Sequence, residues 1–153
     1  MSALADNVPH IRQMREGDLH KVMEIEPVIY THPWTHGNFL DSIRAGYDCR
    51  VVEVAGELVG YGVQMIGVRE SHLLNLSIAE QWQGLGYGRL LLTHFLEVSR
   101  QADVLQIILE VRPSNEVGRH LYASVGFCEI AVRTGYYPTP HGREDAILLV
   151  LTL

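Results

Sequence analysis

The chain has 153 residues, enough for one domain with its own hydrophobic core. Its formal charge of −6, from 18 acidic against 12 basic residues, disfavours a nucleic-acid partner, because phosphate backbones call for clustered Lys and Arg. Two cysteines without CxxC spacing, Cys49 and Cys128, argue against a disulfide framework or structural zinc and for a reducing cytoplasm, and no apolar run is long enough for a membrane span.

The N-terminal segment lacks a basic start followed by an apolar run, so it does not read as a signal peptide. "HIRQM" then reads as a first strand. "EGDLHKVMEIEPVIY" carries Leu19, Val22, Met23 and Ile25 near helical spacing, which Pro27 disturbs. "THPWTHGNFLDSIRAG" reads as a loop and a short helix, with Phe39, Leu40 and Ile43 on one face and Gly46 as the stop. "CRVVEVAGELVGYGVQMIG" reads as two strands joined at "AGE", a hairpin signal. "HLLNLSI" is another strand, followed by a glycine-rich segment and a helix over roughly 88–101. There Leu91, Phe95, Val98 and Ala102 share one face. "DVLQIILEV" is almost wholly apolar, as a strand buried on both faces would be. "NEVGRHLYASVG" reads as a short helix with Asn115 as N-cap, Gly126 as stop and Val117, Leu121 and Val125 as its apolar stripe. "FCEIAVRTGYY" and "DAILLVLTL" are closing strands, joined by the loop "PTPHGRE". The order predicts one α/β domain over residues 1–153. It has a mixed sheet with a βαβ centre, antiparallel hairpins at both ends and helices on both faces.

The segment "EQWQGLGYGRLLL" is the first functional signal. Gly84, Gly86 and Gly88 stand at alternate positions between a strand and a helix. Glycine lets the backbone approach a bulky ligand, and the unpaired N–H groups of a helix N-terminus form an anion site. The pattern is not GxxxxGK[ST], since no Lys follows Gly88. It is also GxGxG, not the dinucleotide GxGxxG, although Glu110 ends an apolar strand about where a ribose-binding carboxylate would stand. A glycine-rich turn without a ligand is the structural alternative.

Gln83-Gly84-Leu85-Gly86-Tyr87-Gly88 resembles the Q/R-x-x-G-x-G/A signature of the GNAT superfamily of acetyl-CoA-dependent N-acetyltransferases. "LLNLSIAEQWQGLGYGRLLL", "IILEVRPSNEVGRHLYASVGF" and "RTGYYPTPHGREDAILLVL" extend the resemblance over nearly the whole chain, to the RimI-type branch. That branch acetylates the N-terminal alanine of a small-subunit ribosomal protein. The resemblance implies acetyl-CoA as co-substrate, no metal, and a basic ribosomal small-subunit N-terminus as partner. By resemblance, Leu76, Ser77 and Ile78 pair with the pantetheine arm. Gly84, Leu85, Gly86, Tyr87, Gly88 and Arg89 hold the pyrophosphate, and Asn115 contacts the cofactor. Glu110 is the general base and Tyr122 the general acid. Family members often carry basic residues where this chain has Gly84 and Leu85, so backbone N–H groups and Arg89 would carry more of the anion binding.

Without the resemblance, Glu110 reads as a solvated carboxylate at a strand end and Tyr122, one step off its helix's apolar stripe, as a packed aromatic with its hydroxyl at water. Glu26 and Trp34, with Tyr136 and Tyr137 in the last loop, would suit a basic peptide terminus; otherwise Glu24 and Glu26 line a solvated helix face and the tyrosines cover a hairpin. His32 and His36 are four apart, but Pro33 breaks a regular helix across them and no third ligand is near, so no metal site is expected. Arg133, Arg143 and Asp145 carry no assignment. Acetylation of a Lys side chain or a small amine, and a non-catalytic acyl-CoA-binding module, are the alternative functions.

Overall fold

The computed structural model describes residues 7–153. In chain order its elements are β1 (His10–Gln13), α1 (Leu19–Ile29), α2 (His36–Arg44), β2 (Asp48–Val54), β3 (Glu57–Ile66), β4 (Glu70–Ile78), α3 (Tyr87–Gln101), β5 (Gln106–Val111), α4 (Glu116–Ser124), β6 (Cys128–Thr139) and β7 (Gly142–Thr152). The strands form a seven-stranded mixed sheet in the order β1-β2-β3-β4-β5-β7-β6. Across α3, β4 runs parallel to β5, while β1–β2, β2–β3, β5–β7 and β6–β7 are antiparallel. This is the expected α/β arrangement. Contacts group the residues into two compact units. The first takes the chain through Gln64 and then Asn75–Phe95; the second takes Met65–Leu74 and Leu96–Leu153.

In the first unit, Ala55 and Gly56 turn the β2–β3 hairpin with φ of +53° and +77°. Two consecutive positive values are what a two-residue primed turn requires. Helices cover both faces. Tyr61 of β3 meets Phe39 of α2 at a ring separation of 5.5 Å and Glu26 of α1 through its hydroxyl. The next residue faces α3: a Cβ on Gly62 would stand 2.6 Å from the Phe95 ring and 2.9 Å from the Asn75 carbonyl oxygen. Gly62 is therefore a close-approach glycine in the strand, and any side chain there would push α3 outward.

α1 departs from expectation, since it continues through Pro27 to Ile29. Proline withholds one helix hydrogen bond, but it stands in the last turn, and the helix still closes with Tyr30 N–H donating to the Glu26 carbonyl at 3.1 Å. α2 opens on a reciprocal cap between Thr35 and Asn38 and ends before Gly46 at φ +80°. Phe39 is buried there, and Leu40 and Ile43 are half-buried. The buried residues of α3 are Leu91, Leu92, Phe95, Leu96 and Ser99; Val98 is half-buried and Ala102 lies exposed beyond the helix end.

In the second unit, β5 is not buried on both faces. Ile107, Leu109 and Val111 are buried, whereas Gln106, Ile108 and Glu110 are half-buried. The apolar run hid an alternating strand, because Ile108 occupies the less covered face. α4 also turns differently from the expected stripe: Val117 is 75% exposed and Tyr122 only 7%. The Tyr122 ring packs edge-on against Phe127, 5.7 Å between centroids, which draws that side of the helix into the core. Asn115 caps α4, accepting from Gly118 N–H, and Gly126 at φ +108° follows its end. Finally, Tyr136 and Tyr137 lie in β6, as the strand reading has them, and β6 continues through Pro138 and Thr139, so the loop shortens to Pro140 and His141. The β6–β7 register slips between Arg133 and Tyr137, so β6 bulges there.

Candidate active site

The first unit holds the glycine mouth. Gly84 and Gly86 adopt φ of +77° and +91°, and a Cβ at either would meet nothing within 4 Å. These glycines are selected by backbone conformation, and the space beside them is open. α3 starts at Tyr87, and its first intrahelical bond runs from Leu90 N–H to the Gly86 carbonyl at 3.0 Å. The Tyr87 and Gly88 N–H groups precede that bond, so they point out of the helix end, where the dipole favours an anion. Leu85 and Arg89 flank them with exposed side chains. This geometry fits a pyrophosphate without needing a side-chain charge at positions 84 or 85.

The strand leading into the mouth is β4. Ala79 N–H pairs with the Val59 carbonyl of β3 at 2.8 Å. By strand alternation Leu76 and Ile78 turn their backbone groups away from β3. Their carbonyls meet side chains: Gln83 Nε2 donates to Ile78 O at 2.9 Å, and the Tyr30 hydroxyl lies 3.3 Å from Leu76 O. Gln83, the first residue of the motif, therefore ties the mouth to the strand before it.

Behind this edge lies a buried polar network. Glu26 is 1% exposed. Its carboxylate accepts from the Tyr61 hydroxyl at 2.6 Å, the Trp34 backbone N–H at 3.0 Å and Asn75 Nδ2 at 3.4 Å. Burial raises its pKa above the ordinary carboxylate range, while the three donors pull it back. The expected solvated face holds for Glu24, which is exposed, and not for Glu26. Trp34 is half-buried with its ring 5.0 Å from Phe39, so it belongs to the aromatic series Trp34, Phe39, Tyr61.

The second unit holds Glu110, half-buried on β5. Arg133 Nη1 stands 3.9 Å from Glu110 Oε1, and its guanidinium lies 5.3 Å from the Tyr136 ring centroid. Tyr136 and Tyr137 are edge-on at 4.9 Å. Burial, with Glu110 the next contribution, pushes the Tyr137 phenol up to about 12. His72 pairs in register with Ile108, two positions from Glu110 and on the same face of the strand pair. Burial holds its imidazole below the ordinary range, with the Glu110 charge opposing that shift.

The residues that carried no sequence assignment build this bulge. Arg112 lies 4.3 Å over the Tyr137 ring and donates to Pro138 O at 3.0 Å. Glu144 accepts from Ser114 N–H at 3.1 Å and Ser114 Oγ at 2.9 Å. Asp145 accepts from Gly135 N–H at 2.9 Å, and Arg143 Nη1 donates to Gly135 O at 3.2 Å. "GRED" thus holds the "TGYYP" bulge to β7, and the only sequence sign of it was the density of charge beside a hairpin. Asn115 spends its side-chain oxygen on the α4 cap. Tyr122 is buried on α4, contrary to a water-facing aromatic.

Residues 19–127 match the profile of the acetyltransferase (GNAT) family. The chain is 32% identical over 143 residues to the ribosomal protein bS18-alanine N-acetyltransferase of Escherichia coli K12, spanning 94% of this chain and 97% of that protein. It is 32% identical over 144 residues to the protein of the same name from Haemophilus ducreyi, spanning 94% and 99%. Among solved structures, the ribosomal-protein-S18-alanine N-acetyltransferase from Escherichia coli superposes with a TM-score of 0.89 at 31% identity, covering 95% of this chain and 94% of that one. Ard1 from Thermoplasma volcanium gives 0.85 at 26% identity, with 95% and 97% covered. The glycine mouth on α3, the mixed sheet and the near full-length likeness agree: this chain is an acetyltransferase and belongs to the GNAT family.

Proposed function

We propose that the chain, acting as a single domain over residues 1–153, transfers an acetyl group from acetyl-CoA to the α-amine of the N-terminal alanine of ribosomal protein bS18. The observation that carries this reading is the 32% identity spread over 94% of the chain to enzymes bearing that name. The work would be done in the cytoplasm, on a basic small-subunit protein terminus, with no role for nucleic acid or membrane.

In this reading the pyrophosphate rests on residues 84–89, with Arg89 adding charge. The pantetheine arm runs along Leu76, Ser77 and Ile78, and Asn115 contacts the cofactor through its remaining amide donors. The residues assigned to the acceptor are Trp34, positioned by Glu26, in the first unit and Tyr136 and Tyr137 in the second. The neutral amine attacks the thioester carbonyl, the carbon–sulfur bond breaks, and the thiolate leaves. Glu110 takes the amine's proton through a water, and Tyr122 stabilises or protonates the thiolate. An α-amine has an ordinary pKa of about 8 and Lys about 10.4, so an N-terminal acceptor is much nearer to neutrality at physiological pH.

Mass spectrometry of a mixed peptide panel incubated with acetyl-CoA tests this. Acetate on the α-amine of alanine-starting peptides is the expected result. Acetate on Lys would move the activity to another amine, and none at all would leave an acyl-CoA-binding module.

A further inference from the structure

The buried network behind β4 is polarised in one direction. Ser77 Oγ donates to Asn75 Oδ1 at 2.7 Å, and Asn75 Nδ2 approaches Glu26 at 3.4 Å. A serine hydroxyl has one proton, so Ser77, having given it to Asn75, accepts from Tyr30, whose hydroxyl lies 2.7 Å away. The donors therefore run Tyr30, Ser77, Asn75 and end on the Glu26 carboxylate, which also takes the Trp34 N–H at 3.0 Å. Tyr30 has a second acceptor, the Leu76 carbonyl at 3.3 Å. Its phenol is pushed up to about 12 by burial, so it keeps its single proton and must divide it between Ser77 and Leu76.

We propose that this network couples the two substrates of the reaction, so that cofactor on β4 tightens the Trp34 loop for the acceptor. The inference rests on the reading above that Leu76–Ile78 carry the pantetheine arm and that Trp34 borders the acceptor. A pantetheine amide that donates to Leu76 O relieves Tyr30 of that acceptor. The Tyr30 proton then goes wholly to Ser77, and the chain of donors to Glu26 strengthens, since aligned hydrogen bonds polarise one another in a low-dielectric interior. A firmer Glu26 carboxylate holds the Trp34 backbone in one place. Glu26, Asn75 and Tyr30 are then positioning residues, acting through Trp34 and Leu76. The coupling is reciprocal: the acceptor must raise cofactor affinity by the same factor.

The test is calorimetric titration of an alanine-starting, arginine-containing peptide into the protein, alone and saturated with coenzyme A, which blocks turnover. Wild type is expected to bind the peptide about fivefold or more tightly with coenzyme A present, a typical lower bound for coupled sites. Asn75→Ala should bring that factor near one, while each ligand alone still binds. Tyr30→Phe, which removes only the hydroxyl, should do the same if Asn75→Ala does not fold. Asp18→Asn breaks the Arg12–Asp18 pair, which shares no residue with this network, and should lower the melting temperature at neutral pH while keeping the coupling. Equal peptide affinity with and without coenzyme A in wild type would overturn the coupling alone. Coupling lost equally in Asp18→Asn would overturn the path through Asn75. No coenzyme A binding at all would overturn the underlying reading, and the coupling with it.

Discussion

Arg133 Nη1 stands 3.9 Å from Glu110 Oε1, close enough for charge to act and too far for a direct hydrogen bond. The two come from β6 and β5, separated by the α4 segment in sequence. Arg133 therefore does not tie up that oxygen by a direct hydrogen bond, as the proposed role of Glu110 as base requires.

Glu110→Gln keeps the shape and removes the proton acceptor. Turnover should fall by about 10²–10⁴, the usual cost of losing a general base, with acetyl-CoA affinity little changed and partial recovery at high pH, where the amine is already neutral. Steady-state kinetics across pH, alongside coenzyme A titration, measures all three. Unimpaired turnover at neutral pH would return Glu110 to the status of a half-buried carboxylate with an arginine neighbour.

Tyr122 is buried against Phe127, so Tyr122→Phe should leave the ring packing intact and the melting temperature close to wild type. If its hydroxyl meets the departing sulfur, turnover falls while coenzyme A still binds. The loss should shrink with a donor whose thiol is more acidic, because a better leaving group needs less help. Wild-type turnover at full cofactor occupancy would take Tyr122 out of the chemistry.

Gly86→Ala adds a methyl group to open space, but at a φ of +91°. The strain should cost about 1–2 kcal/mol, felt locally at the mouth of α3. The protein should still fold, with a lower melting temperature and a reduced rise on adding acetyl-CoA. Gly17→Ala, exposed, at ordinary φ and with nothing within 4 Å of its Cβ, is the control and should be near neutral. A melt shifted by NADH and not by coenzyme A would assign the mouth to a dinucleotide.

Arg12 makes a two-pronged contact with Asp18, at 2.9 and 2.7 Å, and also bonds Glu53. The Arg12 hydrogen bonds hold the Asp18 carboxyl below the ordinary carboxylate range. Because the folded pKa is the lower one, this contribution is complete above the unfolded value of about 3.9 and fades as pH drops through the folded value. Asp18→Asn should therefore melt below wild type at neutral pH, and the gap should close in strong acid. A gap independent of pH would mean that packing, not charge, sets the loss.

The sequence by itself determined the order of elements, the hairpin at Ala55-Gly56, the Asn115 cap and the glycine mouth of α3. Each is written in nearby residues, since turn chemistry, capping and positive φ are local demands that few residue types meet. It did not determine which face of a short element is covered. β5 is all but uniformly apolar and yet half-open, and α4 buries Tyr122 in place of the Val117 stripe, because burial depends on what packs against the element. Pro27 looked like a breaker and was absorbed in the last turn of α1. The tertiary structure alone brought Glu26 to Trp34 and Asn75, 8 and 49 positions away, and Arg133 to Glu110 across the sheet. Those contacts arise because helices, loops and strands apart in sequence pack together, Arg133 reaching Glu110 past the intervening β7, and no local pattern encodes the partner of a buried carboxylate.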